Sequence, residues 1–125
     1  MIINHLFTNL KGDSELVKRK IPMSNDNRPT SEKFDIQKLF FRETPQGHSQ
    51  DYHHPPQKQI IFVTSGILEI ETSKNLRFIF QPGDIIFTED LQGIGHITRS
   101  LRDTRGFAHI FMPENFNISN WEIVN

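Results

Sequence analysis

Three side chains in the middle of this chain, His53, Gln59 and His96, carry donor atoms and stand where strand alternation can turn them to one side. Successive strand residues point to opposite faces, so an inward Gln59 brings Ile61 and Val63 inward with it. The space below the amide is then apolar. His53 shares that parity across the intervening turn, and on another strand His96 points inward together with Thr98. Two imidazoles and an amide on one inward face can line a pocket and orient a small molecule by hydrogen bonds. His109 has Phe107 and Phe111 on its own face and reads either as a ligand-binding group or as a satisfied core histidine. Glu89 and Asp90 precede the loop that leads to His96. They are candidates for a general acid or base at a cavity mouth, with a solvated acidic turn as the alternative. Arg42, just ahead of the loop bearing His53, is a candidate for binding a carboxylate or phosphate group on a ligand. Arg99 is opposite in parity to His96 and is expected outside, and Glu69 and Glu71 are expected on a solvated face.

Strands must position these residues, and strand signals dominate the chain. HLFTNL and ELVKRKIPM flank a KGDS cluster and read as a first hairpin with a polar turn. Residues 24–32, SNDNRPTSE, are polar with a proline and read as a loop. FDIQKLFFRE, from Phe34, alternates as a strand that crosses the core. QIIFVTSG and ILEIE form two strands joined at Ser65 and Gly66. LRFIF follows the turn residues Ser73 to Asn75, and IIFTE follows Pro82, Gly83 and Asp84. HITRS comes next, and GFAHIFM follows the turn residues Arg102 to Arg105. The tail NFNISNWEIVN reads as a short strand or a helical turn. Short strands separated by turn clusters, without amphipathic helical stretches, predict an all-β antiparallel sandwich or barrel.

Composition narrows the classes. At 125 residues, residues 1–125 are expected to form a single domain: N-terminal strands over 1–45, a motif-bearing core over 46–113 and a tail over 114–125. Eleven Phe residues supply bulk for its core. Lys and Arg total 14 against 15 Asp and Glu, so there is no basic excess of the kind a nucleic-acid binder gathers. The absence of cysteine excludes disulfides, thiolate metal sites and a cysteine nucleophile. The start MIINHLFTNLKGD lacks a signal-peptide pattern, and no segment has the apolar length of a membrane span, so a cytoplasmic location without membrane partners is expected.

Residues 47–66, GHSQDYHHPPQKQIIFVTSG, resemble the first signature of the cupin family, G-x5-H-x-H-x3-E-x6-G, with every gap kept. His53 stands at the first histidine, Pro55 replaces the second, and Gln59 replaces the glutamate. The second signature, roughly G-x5-P-x-G-x2-H-x3-N, is matched by Gly83, Gly93 and His96. Leu91 stands at its proline, Ser100 at its asparagine, and two extra residues lie between Gly83 and Leu91. HLFT near the start, FRETPQG leading into D-x-H, P-x-x-Q, F-x-PGD and ED-x-x-G-x-GH-x-x-R extend the likeness to compact cupins of unassigned function.

The resemblance implies a cupin-type jelly-roll barrel holding a ligand or metal in a narrow interior. In the family, two histidines and a glutamate of the first signature and one histidine of the second bind a divalent metal. Carried over residue by residue, His53, Gln59 and His96 would be the ligands of one iron, manganese, nickel or zinc ion, or of none. His54 has the wrong parity and would need a bulge to help. The family also implies a homodimer paired through edge strands and swapped N-terminal segments. Three readings stay open. The chain is a mononuclear-metal enzyme of dioxygenase or isomerase type, a metal-free module binding a small organic molecule, or a structural homodimer unit.

Overall fold

The structure is a computed structural model and describes residues 1–100 and 104–124. Among the described residues there are eleven strands and no helix. They are β1 (Ile2–Thr8), β2 (Ser14–Lys20), β3 (Lys38–Thr44), β4 (Ser49–His53), β5 (Gln59–Ser65) and β6 (Leu68–Thr72), then β7 (Arg77–Phe80), β8 (Ile85–Glu89), β9 (His96–Ser100), β10 (Arg105–Phe111) and β11 (Ile123–Val124). Among the described residues no helix is long and apolar enough to cross a membrane.

Seven strands form one sheet in the order β11-β2-β1-β8-β5-β10-β3, and four form the other in the order β4-β9-β6-β7. The first hairpin pairs β1 with β2 antiparallel, and β1 then joins β8 in a parallel pair. Alternation divides the residues of the large sheet between two cores. Leu6, Ile61, Val63, Ile86 and Phe107 point at the small sheet, where they meet Leu68, Ile70 and Phe80. Ile3 and Phe87 point the other way and are covered by Met112, Phe116 and Ile118 from the C-terminal tail. That tail ends in β11, paired with β2, so the strand reading of the tail holds.

Two expectations change. The strand expected from Phe34 starts only at Lys38, and β3 is the outer strand of the large sheet, bonded to β10 alone. Five of its seven residues are exposed, so it borders the core and does not cross it. Phe34 instead packs in the loop against Phe116 and Trp121, at ring separations of 5.3 and 5.9 Å. Glu69 and Glu71 are not solvated, being only 5% and 7% exposed. Strand register brings Arg99 and Arg77 beside them, because β6 lies between β7 and β9. Arg99 Nη1 donates to Glu69 at 3.0 Å and Glu71 at 2.8 Å, and Arg77 Nε donates to Glu71 at 3.0 Å. The Arg99 hydrogen bond holds the Glu71 carboxyl below its ordinary pKa. Arg99 itself lies outside, as its parity predicts.

Candidate functional site

A cavity of about 190 Å³ opens between the sheets. Ile61, Leu68, Ile70 and Phe107 give it an apolar side, and His53, Gln59, His96, Arg105 and His109 a polar one. β5 turns Gln59, Ile61 and Val63 to the same interior, as alternation requires.

His53 ends β4 and His96 begins β9, and the two are cross-strand partners with ring centres 4.5 Å apart. Each ring is held at Nδ1. The Asp51 carbonyl lies 2.8 Å from His53 Nδ1, and a carbonyl only accepts, so that nitrogen carries the proton. Burial lowers the His53 pKa against the opposing pull of this bond. His96 Nδ1 lies 2.6 Å from Asp90 Oδ2, which also accepts from Ser14 Oγ at 2.6 Å. With the proton on Nδ1, Nε2 is the acceptor nitrogen of each ring in its neutral form. Gly95 allows this approach of β4 to β9: a Cβ on it would lie 2.1 Å from the His53 carbonyl oxygen, and its φ is +80°. His54 turns out of the pair and meets the Gly93 carbonyl through Nε2 at 2.8 Å.

His109 and Gln59 form a second pair. His109 Nδ1 stands 3.2 Å from Gln59 Oε1, which leaves Nε2 buried with no partner among the described residues. The ring stacks on Phe40 at 4.8 Å and meets the edge of Phe107 at 5.7 Å. Burial, reinforced by the positive charge of Arg42, pushes its pKa down to about 4. Because this lies below the unfolded value of 6.5, stabilisation by the neutral ring is complete above pH 6.5 and is lost as pH falls through 4. The shift is worth about 3 kcal/mol. Urea midpoints measured from pH 7 to 4 should therefore fall, and His109→Gln should remove about 3 kcal/mol of that fall. Equal pH slopes in the two proteins would show that His109 is protonated without penalty.

The remaining candidates are separated by the fold. Glu89 follows the inward Thr88 and so lies on the other face of the large sheet. There its Oε2 is 2.5 Å from His5 Nε2, whose ring takes a second bond from Arg19 Nε at 2.8 Å. Asp90 is fully buried behind His96 and does not line the cavity. Arg42 does line it, with its guanidinium 5.2 Å from the Phe40 ring centre.

Arg105 is a residue that the sequence reading missed. It stands in the segment read as a turn, yet it begins β10 and is 4% exposed. The available signal was phase, since Arg105, Phe107 and His109 share one face. Its Nε and Nη1 are buried without hydrogen-bond partners among the described residues, and burial lowers its pKa.

Nothing in this donor set completes a metal site. No group of three or more His, Cys, Asp or Glu that could hold an ion occurs among the described residues. Pro55 lines the cavity without a donor, and the Gln59 carbonyl already accepts from His109. Two imidazoles fall short of the three protein ligands usual in an open metal site.

No family model and no curated protein matches the chain. Among solved structures, the DMSP lyase DddQ from Ruegeria pomeroyi DSS-3 matches with a TM-score of 0.53 at 18% identity, over 75% of this chain and 46% of its own. A predicted oxalate decarboxylase from Thermotoga maritima matches at 16% identity and a TM-score of 0.45, over 90% of this chain and 94% of its own. The capsular polysaccharide assembling protein CapF from Staphylococcus aureus matches at 15% identity and a TM-score of 0.43, over 82% of this chain and 33% of its own. The chain thus spans about half the length of the lyase. With two packed, mostly antiparallel sheets and this neighbour, the chain has the cupin jelly-roll fold. Likeness at this identity speaks to fold and leaves activity to the site.

Proposed function

We propose that the chain is a small-molecule-binding cupin domain whose ligand sits between the sheets, against the imidazoles of His53 and His96. One observation carries this reading: the cavity is bordered by buried polar groups, Arg105 and His109 Nε2, that the described chain leaves unsatisfied. Such groups are destabilising unless something meets them, so their retention favours a polar occupant. An apolar cavity of about 150 Å³ accepts benzene, so the present volume suits a molecule of about eight non-hydrogen atoms.

The same geometry supports acid–base chemistry on that ligand. Asp90, itself bonded by Ser14 Oγ, holds His96 at Nδ1, which orients its Nε2 as a proton acceptor. Asp90 acts here as a positioning residue and His96 as the group that meets the ligand.

Calorimetry with a panel of polar molecules of this size tests the reading. Binding is expected at one site per chain and should weaken at least about tenfold in His96→Ala, the loss of a single charge-free hydrogen bond and its packing. His53→Ala serves as a second variant, since His96 also contacts the buried Asp90. If neither change affects binding, the ligand does not sit against these two imidazoles, and an absence of any binding would favour the structural-homodimer reading. One divalent ion per chain, lost in both variants, would replace the present reading with the metal-enzyme one.

A further inference from the structure

We infer that the ligand is a small carboxylate carrying a hydroxyl or amino donor, bound by Arg105 through its charge and by His109 through Nε2. The inference rests on the cavity reading above and names the chemistry of its occupant.

Arg105 differs from the other buried or paired arginines. Arg19 bonds His5 and the Trp121 carbonyl, while Arg77 and Arg99 pair with glutamates. Arg105 is 4% exposed and has neither an ion pair nor a hydrogen bond among the described residues. Its Cζ lies 5.4 Å from the centre of the Phe107 ring. An unpaired buried guanidinium is strongly destabilising, and an anion that reaches it restores the balance.

No competitor for that anion stands among the described residues that line the cavity. The described lining residues include Arg42, Arg105 and several histidines but no aspartate or glutamate. A low-dielectric cavity of this sign concentrates anions. The planar guanidinium matches a carboxylate in shape as well as charge.

The second group follows from the other side of Phe107. His109 lies 5.7 Å from that ring, and its Nε2 is a buried acceptor without a donor. Nδ1 is committed to Gln59, so the free nitrogen asks for an O–H or N–H. A cation and a neutral acceptor flanking one aromatic ring therefore specify an anionic head and a donor on the same small molecule. The volume of about 190 Å³ limits it to a short hydroxy or amino acid.

The test compares four probes by calorimetry and by histidine and arginine side-chain NMR: lactate, propionate, lactamide and inorganic phosphate. Lactate should bind at least about tenfold more tightly than propionate, which lacks the donor, and than lactamide, which lacks the charge. It should move the Arg105 Nε–H resonance. Arg105→Met should abolish the preference for lactate over lactamide while raising the melting temperature of the ligand-free protein, because it removes an unpaired buried charge. A lower melting temperature in that variant would make Arg105 structural and overturn the inference. So would equal binding of lactate with propionate or lactamide, though the cavity reading would survive. Phosphate binding more tightly than lactate would overturn the carboxylate class alone. If none of the four moves any cavity resonance at high millimolar concentration, both the inference and the cavity reading fall.

Discussion

Exchanging Pro55 for His and Gln59 for Glu together is expected to raise affinity for Co²⁺ or Zn²⁺ at least about a hundredfold. Changes around ligated residues alone shift affinity by about 10- to 100-fold, and this double change adds two direct donors. Both positions already line the cavity beside His53 and His96. The supporting bonds are also in place: the Asp51 carbonyl holds one imidazole and Asp90 the other, each at Nδ1. Such contacts orient a ring and strengthen it as a ligand. What the chain lacks is charge and donor number at positions 55 and 59. Gln59→Glu alone should give a smaller gain and should also raise the His109 pKa from about 4, since a carboxylate would then face Nδ1. The visible absorption of bound Co²⁺ reports coordination directly. A double variant that binds Co²⁺ no better than the parent would mean that residues 55 and 59 do not face the two imidazoles.

That result bears on what can be read from the chain alone. Glycine spacing survives because glycines answer to backbone geometry. Gly93 and Gly95 both have positive φ, and a Cβ on either would fall within about 2 Å of a carbonyl oxygen. His53 and His96 are legible for a related reason: strand parity turns both inward, and they meet as cross-strand neighbours. Glu89 shows where parity needs a known starting phase. Thr88 takes the inward position, which sends Glu89 to the His5 side of the sheet. Arg105 is hidden by its neighbours, because a polar run ending in Gly106 has turn composition whether or not a strand begins inside it. The role of Asp90 is purely tertiary. Its partners Ser14 and His96 come from different sheets, and no local pattern links the three. The ion-paired Glu69 and Glu71 likewise depend on β6 lying between β7 and β9, a strand order that alternation within one strand cannot supply.

Asp90→Ala is expected to be the most destabilising single change at the site, by about 3–5 kcal/mol. Asp90 is fully buried, and its Oδ2 accepts from both Ser14 Oγ and His96 Nδ1 at 2.6 Å. Alanine would strand two buried donors, each left unmade at about 1–3 kcal/mol, and would open space behind the imidazole. Asp90→Asn separates these effects. Its amide oxygen can occupy the Oδ2 position and keep both bonds, while its nitrogen takes the place of Oδ1, which has no partner among the described residues. The asparagine variant should therefore retain most of the stability and the His96 tautomer. Alanine should lose both, with a melting temperature roughly 10–20 °C lower for a domain of this size. Urea denaturation measures the first difference, and the downfield Nδ1–H resonance of His96 reports the second. If alanine and asparagine prove equally mild, the bonds to Asp90 do not position His96, and the acid–base role proposed for that imidazole loses its support.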